Sequence, residues 1–402
     1  MTFRRFTLAA SAAIAVAAAP ATAQTVVGVT DDSIKIGNIM PYSGPASAYG
    51  QIGEAMSAYM EKVNAEGGVN GRTIEFISYD DGYQPPRTVE QARKLVERDE
   101  VALIFATLGT PTSSAIHRYM NARQVPQLFV TTGASKWGDP ENYPWTMGWQ
   151  PDYATEARIY AKYVLDNVPD AKVGILYQND DYGRDYLNGF KEGLGDKADE
   201  LIVSEMPYEV ADPTVDSQVI SLASSDANVF FNITTPKFAA QAIKKADEIG
   251  WEPLHLLNNV SSSVGSVLKP AGLEASKDLI TVGYLMDPTD SQWADHPEKQ
   301  AWSDFMDEWY PDGDKTSTFT VQGYSMAVTL VHVLDKAGDD LSRENIMAQA
   351  ASLDGFRAPM LLPGITLNTS ETDYYPIEAV QLQRFTGETW ELFGDIISAE
   401  GS

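Results

Sequence analysis

The sequence predicts an α/β fold made of two doubly wound lobes, each built on a parallel sheet. Three observations predict it. Short apolar runs of strand length alternate with helical segments from Ser33 onward, the alternation occurs twice, and a proline-bounded stretch at 144–151 separates the two runs. The 402 residues and the 44% hydrophobic content are enough for two cores of ordinary size.

The first run alternates four strands with three helices. The predicted strands are Ile34–Met40, Thr73–Tyr79, Val101–Ala106 and Gln127–Thr131, and the predicted helices are Gly50–Ala65, Thr88–Arg98 and Pro111–Ala122. Gly67-Gly68 and Asn70-Gly71 end the first helix and form a turn, because glycine and asparagine favour such positions. Asp80-Asp81 follows the second strand and is interpreted as a pair of solvated loop acids.

The second run repeats the pattern and is followed by a helical tail. The predicted strands are Lys172–Tyr177, Glu200–Tyr208, Asn228–Ile233 and Pro253–Leu257, and the predicted helices are Tyr182–Gly193, Lys237–Ile249, Glu298–Tyr310 and Ser317–Lys336. Gly364–Leu367 and Pro376–Phe385 are predicted to pair as terminal strands that return to the second lobe. In open parallel sheets ligands bind beyond the carboxyl ends of the strands, so the residues after each strand are the functional candidates.

The first 23 residues have the features of a cleaved secretory signal peptide. Arg4-Arg5 precedes the apolar run Phe6–Ala19, and Ala21-Thr22-Ala23 is a small-residue cleavage site. We therefore expect export to the periplasm. The chain has no cysteine, which excludes disulfides, zinc–thiolate sites and a lipidated cysteine, and no later apolar run reaches membrane-spanning length, so we expect no membrane anchor. The net charge of −27 repels phosphate backbones, so we expect no nucleic-acid partner.

The sequence contains none of the common catalytic motifs. It has no nucleophile elbow, no paired zinc-binding histidines on a helix and no phosphate-binding loop. The acids at 287–295 lack the spacing of a calcium-binding loop. We predict that the protein is not an enzyme and holds neither a metal nor a cofactor.

Several motifs, in order and at matching spacing, give the chain a family resemblance. They are Ser43-Gly44-Pro45 with Tyr49-Gly50, Asn64–Gly71 (NAEGGVNG), Tyr79-Asp80-Asp81, Val125-Pro126 and Asn179–Gly183 (NDDYG). With the signal peptide, they make the chain resemble the branched-chain amino acid (Leu/Ile/Val-type) periplasmic binding proteins of ABC importers, which have the type I periplasmic-binding fold.

The resemblance implies two lobes joined by three crossovers, which close on one small ligand. The crossovers are expected near Trp145–Gln150, Gly283–Pro288 and Ala358–Pro363. After the signal peptide at 1–23, the amino-terminal lobe would comprise 26–148 plus 286–357, and the carboxyl-terminal lobe 149–285 plus 358–400. The resemblance also implies an inner-membrane ABC permease as partner, and we expect a monomer.

By the same resemblance, ligand contacts are expected on both lobes. Tyr42 and Tyr49 would contact the ligand body, and Trp149 at the first crossover is either a ligand wall or hinge packing. Thr110 would bind a carboxylate, although it could act only as a helix cap, and the positive end of the following helix would favour that anion. The remaining candidates are Thr131, Thr132, Gly133, Ser135, Tyr182 and Thr234.

One segment departs from the family pattern. Amino acid binders hold the ligand's ammonium group with a carboxylate after the strand 253–257, but here that segment begins Asn258-Asn259-Val260 and contains no Asp or Glu before Pro270. An unpaired ammonium in a closed cleft costs several kcal/mol. We therefore expect Asn259 and Val260 to contact a small organic carboxylate, aromatic or apolar, that lacks an α-amino group.

Two alternatives remain open from the sequence. The ligand could be a branched-chain or other apolar amino acid if another acid, such as Glu378 or Asp287, supplies the counter-charge. The protein could also present its ligand to a separate sensor instead of a permease.

Overall fold

The fold of residues 26–398 is described by a computed structural model of the chain, and the predicted signal peptide lies outside these residues. Two sheets organise the molecule. The first is entirely parallel, in the order β2-β1-β3-β4-β5, with β1 at Ser33–Met40, β2 at Thr73–Asp80, β3 at Leu103–Phe105, β4 at Gln127–Val130 and β5 at Thr146–Gly148.

The second sheet has seven strands in the order β12-β11-β10-β9-β8-β6-β7. Its bounds are β6 Val173–Gln178, β7 Ile202–Tyr208, β8 Val229–Ile233, β9 Leu254–Leu257, β10 Ile280–Gly283, β11 Ala379–Phe385 and β12 Trp390–Ser398. Strands β6–β10 are parallel, and β11 and β12 add as an antiparallel hairpin. Strand β8, which lies inside the sheet, is buried along its whole length, in keeping with its largely apolar sequence, Val229–Ile233 (VFFNI).

Helices cover both sheets. They are α1 Gly50–Ala65, α2 Pro85–Arg93, α3 Thr110–Arg123, α4 Tyr153–Asn167, α5 Asp181–Leu194, α6 Ala198–Leu201, α7 Asp216–Ala223, α8 Pro236–Glu248, α9 Lys269–Ala271, α10 Pro297–Trp309, α11 Thr318–Ala337 and α12 Arg343–Ala350. Helix α11 packs against α1 and α12, and α4 packs against α5. The first sheet with α1–α3 and α10–α12 is called the amino lobe below, and the second sheet with α4–α9 the carboxyl lobe. The predicted two-lobed α/β fold is thus confirmed.

The chain passes between the lobes three times. It leaves the amino lobe between β5 and α4, returns between β10 and α10, and crosses again between α12 and β11. The second and third passages run side by side, because Met286 N–H donates to the Met360 carbonyl (2.7 Å) and Leu362 N–H donates to the Tyr284 carbonyl (2.9 Å).

The structure corrects three local predictions. Gly364–Leu367 is not a strand of the terminal pair; β11 pairs instead with Trp390–Ser398 across a turn in which Gly387 has φ +101°. The last strand was predicted from the sequence at Pro376–Phe385, and this turn was therefore missed. Residues 198–201 form a short helix before β7. Asp81 is buried rather than solvated, with its two oxygens accepting from Tyr83 N–H (2.8 Å) and the Thr88 hydroxyl (2.7 Å).

Candidate functional site

A cleft lies between the two lobes at the carboxyl ends of their strands. It contains about 760 Å³ of empty space, part of it continuous with open solvent. Six of the residues expected from the sequence line it: Tyr49, Thr110, Thr131, Tyr182, Asn259 and Val260.

The amino-lobe wall presents hydroxyl groups at the start of α3. Thr110 is buried, and its Oγ1 lies 2.5 Å from the Thr132 Oγ1. The helix cap is Gly109, at φ +92°, where a Cβ atom would lie 2.4 Å from the Tyr83 ring. Thr110 itself is therefore the first helical residue, and the N–H groups of this first turn carry the positive end of the helix dipole. Thr131 lines the cleft from the neighbouring strand end.

The loop after β4 sets the distance between this wall and the carboxyl lobe. A Cβ atom on Gly133 would lie 2.1 Å from the Pro151 carbonyl oxygen and 2.8 Å from the Tyr153 ring. Its carbonyl accepts from Tyr153 N–H (2.8 Å). Ser135 points away from the cleft and donates to Asp152 (2.6 Å). Thr132 and Gly133 therefore lie behind the cleft surface and position it.

The carboxyl-lobe wall is aromatic. Tyr153 at the start of α4 packs edge-on against Tyr182 (centroids 5.4 Å apart) and stacks on Tyr186 (4.5 Å). The Tyr182 hydroxyl accepts from Asn258 Nδ2 (2.7 Å). Thr234 is fully buried below this wall, and its neighbour Thr235 lines the cleft instead.

Contacts between the lobes hold the cleft closed. The Tyr49 hydroxyl donates to the Val260 carbonyl (3.0 Å), and its ring packs on Phe319. Gly265 N–H donates to the Thr316 carbonyl (2.9 Å), and Lys136 pairs with Asp181 (2.5 Å). These contacts join the two walls on both sides of the cleft.

The remaining two sequence candidates lie outside the cleft lining. The Tyr42 hydroxyl lies 2.6 Å from Ser78 Oγ, beside β2. Trp149 is fully buried, donates to Thr329 (3.3 Å) and packs edge-on against Tyr284, with ring centroids 5.9 Å apart. Trp149 therefore packs in the interior next to the first crossover, and Tyr284, which it contacts, lines the cleft.

Sequence reasoning missed several lining residues. They include Tyr83, Gln150, Tyr153, Tyr284, Phe319, Gln322 and Gln383. Asp287, which was considered from the sequence only as a counter-charge for an amino acid ligand, lines the cleft as well. Tyr83 is held at φ +60°, a conformation that is strained for a tyrosine and that no sequence pattern announces. Tyr153 follows Pro151-Asp152, a helix-start signal that could have identified it as the first residue after a crossover.

Two buried carboxyl groups have raised pKa values. Burial raises the pKa of Glu156 to about 7, although it accepts hydrogen bonds from Asn259 N–H, Tyr160 and Tyr186, each at 2.8 Å. Burial likewise raises the pKa of Asp287 to about 6. Glu156 lies behind the aromatic wall, whereas Asp287 lines the cleft itself.

A cleft between two α/β lobes joined by three crossovers is the architecture of the periplasmic-type binding proteins. The sequence profile of the periplasmic binding protein family matches residues 33–387, so the chain belongs to that family. Its relatives include Leu/Ile/Val-binding proteins, so the chain is a periplasmic binding protein of the branched-chain amino acid type, as its sequence motifs indicated. Members of the family bind small molecules and work with ABC transporter permeases. No helix within residues 26–398 is long and apolar enough to cross a bilayer.

Individual relatives are distant in sequence and close in fold. The Leu/Ile/Val-binding protein homolog 7 of Brucella abortus is 25% identical over 69% of this chain and 68% of its own length. A branched-chain amino acid ABC transporter protein of Thermus thermophilus with bound valine superimposes with a TM-score of 0.82 at 14% identity, covering 92% of this chain and 97% of that one. A Rhodopseudomonas palustris solute-binding protein in complex with benzoate gives a TM-score of 0.76 at 19% identity, covering 92% and 98%.

Proposed function

We propose that this protein delivers a small organic carboxylate without an α-amino group to an ABC importer in the inner membrane. The observation that supports the proposal most directly is an asymmetry of the cleft. Its amino-lobe wall offers Thr110 and a helix N-terminus to an anion, while the segment 258–270 of the opposite wall contains no acid to hold an ammonium group. The tyrosines that line the cleft suit an aromatic or apolar ligand body.

The proposed contacts follow from the lining. Thr110 and Thr131 would hold the carboxylate, and Tyr49, Tyr153, Tyr182 and Val260 would enclose the body. We further propose that the lobes comprise 26–148 plus 286–357 and 149–285 plus 358–400, that the protein acts as a monomer in the periplasm, and that the fold binds its ligand without catalysis.

A second candidate is an apolar amino acid, and one observation favours it. Asp287 lines the cleft with one carboxylate oxygen that accepts no hydrogen bond within the described residues. Such an oxygen could balance an ammonium group, and a structural neighbour from Thermus thermophilus has valine bound.

A thermal-shift panel on protein that has been unfolded and refolded tests the two candidates. The panel contains leucine, isoleucine, valine, their keto acids, benzoate, hydroxybenzoates and phenylpropenoic acids. A ligand at about 100 times its dissociation constant adds roughly 2.7 kcal/mol to the free energy of unfolding. A melting shift with the acids and none with the amino acids supports the proposal, whereas a shift with leucine or valine alone replaces it with the second candidate.

A further inference from the structure

The side chain of Asp287 is incompletely satisfied at the surface of the cleft. It is 3% exposed, and its Oδ1 accepts from Thr289 through both the N–H group (2.8 Å) and the hydroxyl. Its Oδ2 accepts no hydrogen bond from any group in the described part of the chain. A buried acceptor left without a donor costs about 1–3 kcal/mol, so such an atom calls for a functional explanation.

Neighbouring charges do not satisfy this oxygen. Lys299 lowers the pKa of Asp287 and Asp290 raises it, both through space, and no ion pair forms between Lys299 and Asp287 within 4.0 Å. Burial is the largest influence and raises the pKa only to about 6, so the group is mainly a carboxylate at neutral pH. Asp287 therefore brings to the cleft lining a carboxylate with one oxygen, Oδ2, that no group in the described residues satisfies.

Asp287 belongs to a different hydrogen-bond network from the proposed anion site. It is linked through Thr289 to Thr389 (hydroxyls 3.4 Å apart), and the next residue, Trp390, donates to the Ser262 carbonyl (2.9 Å). Thr110 instead pairs with Thr132 in the loop whose Gly133 abuts Tyr153. Asp287, after β10, and Thr110, at the start of α3, are thus carried by different segments of the cleft lining, and a ligand that meets both would reach them with separate groups.

We propose that the ligand carries a hydroxyl group, remote from its carboxylate, that donates a hydrogen bond to Asp287 Oδ2. This inference rests on the proposed function, because it takes the carboxylate at Thr110 as given. A hydroxyl group supplies one O–H donor, which satisfies the one oxygen of Asp287, Oδ2, that lacks a partner within the described residues. An ammonium group has three N–H donors, and Asp287 Oδ1 is already occupied by Thr289.

The test measures binding of matched acid pairs to refolded protein by calorimetry. The pairs are benzoate with para-hydroxybenzoate, phenylacetate with its para-hydroxy derivative, and hexanoate with its ω-hydroxy derivative; leucine and valine complete the set. The wild type should prefer the hydroxy member of at least one pair by roughly tenfold to a hundredfold, the range of a hydrogen bond to a charged group. Asp287→Leu should reverse that preference, because it replaces the acceptor with an apolar surface.

Two further variants keep the result interpretable. Asp287→Asn preserves the side-chain size and should reduce the preference by about fivefold or more, because Thr289 holds the amide oxygen at the Oδ1 position and the bond to the ligand hydroxyl then joins two neutral groups. Thr289→Val removes the hydroxyl partner of Oδ1 without touching Oδ2 and should leave the preference intact. Melting curves establish that each variant is folded.

The outcomes separate this inference from the proposed function. Equal binding of plain and hydroxy acids overturns the role of Asp287 and leaves the carboxylate proposal standing. A preference that persists in both Asp287 variants also overturns it. Binding of amino acids alone, or of nothing in the set, overturns the proposed function and the inference together.

Discussion

The two walls of the cleft are built differently, although both lie at the carboxyl ends of parallel strands. The amino-lobe wall carries short hydroxyl side chains, Thr110 and Thr131, fixed by a glycine cap and a neighbouring strand. The carboxyl-lobe wall carries large rings, Tyr153 and Tyr182, backed by the buried acid Glu156. Short polar groups on a rigid edge suit recognition of a charged group, whereas rings suit recognition of shape.

The largest expected effect concerns the acid behind the aromatic wall. Unfolded Glu156 titrates near its ordinary pKa of 4.5 and folded Glu156 near about 7, so between these values the folded state holds one more proton. Its contribution to stability is complete below about pH 4.5 and is lost as the pH rises to about 7, at about 1.4 kcal/mol per unit. Denaturant unfolding across this range should show the trend as a difference between wild type and Glu156→Gln.

The difference between the free energies of unfolding of wild type and Glu156→Gln removes the contributions that other titrating groups make to the pH dependence. Asp185, with its pKa raised to about 6, acts in the same direction, while the buried His117, lowered to about 4, acts in the opposite one. If the free energies of unfolding of wild type and variant change with pH in parallel, Glu156 is ionised in the folded protein. The aromatic wall would then be backed by a charged group, and the two walls would differ less than described.

The next effect concerns the hydroxyl wall. Thr110→Val keeps the shape of the side chain but removes its hydroxyl, and should weaken binding of the carboxylate ligand by about 1.5–3 kcal/mol, the value of a hydrogen bond to a charged group. Calorimetry measures the change. Thr132→Val is the matched control, because it removes the same 2.5 Å contact between the two threonines and leaves the Thr110 hydroxyl in the cleft. Equal losses in both variants would show that Thr110 acts only by positioning the loop.

A third change acts where the two walls meet. Gly133→Ala should lower the free energy of unfolding by about 1–3 kcal/mol and weaken binding, because the new methyl group displaces Pro151 and Tyr153. Gly148→Ala is the control, since its Cβ would approach Trp137 no closer than 3.4 Å. Thermal and denaturant unfolding of both variants check the difference. If Gly133→Ala lowers the free energy of unfolding no more than Gly148→Ala does, Pro151 and Tyr153 can move to make room for the methyl group.

The smallest effect concerns the ring wall. Tyr182→Phe keeps the ring but removes the acceptor for the buried Asn258, so it should lower stability by about 1 kcal/mol, the low end of the cost of an unpaired buried donor, with little change in affinity. Unfolding and binding measurements on the same preparation separate the two quantities. A larger loss in affinity than in stability would assign the Tyr182 hydroxyl a direct ligand contact and reduce the contrast with Thr110.

Local sequence patterns predicted most of the fold. The helix Gly50–Ala65 was bounded correctly because its apolar spacing and the following glycines agree, and β8 was clear from its apolar run. The hairpin β11–β12 was misplaced, because the half-exposed strand Trp390–Ser398 has no clean alternation. Pattern reasoning therefore succeeded where burial is one-sided or complete and failed at an edge.

The candidate site was predictable only in part. Thr110 and Thr131 follow strands, so the topological rule located them. Tyr153, Phe319 and Asp287 enter the cleft from helix starts and a crossover, and their approach depends on how the lobes pack. Trp149 and Thr234 were predicted to contact the ligand but are buried in the interior. A residue next to a strand end can face the interior as readily as the cleft, and the sequence alone does not distinguish the two.

The paired second and third crossovers have a mechanical consequence. Their backbone hydrogen bonds at Met286 and Leu362 make them a short two-stranded ribbon, with the first crossover as a separate tether. Two segments joined in this way move together, so the three passages act as two mechanical connections between the lobes instead of three.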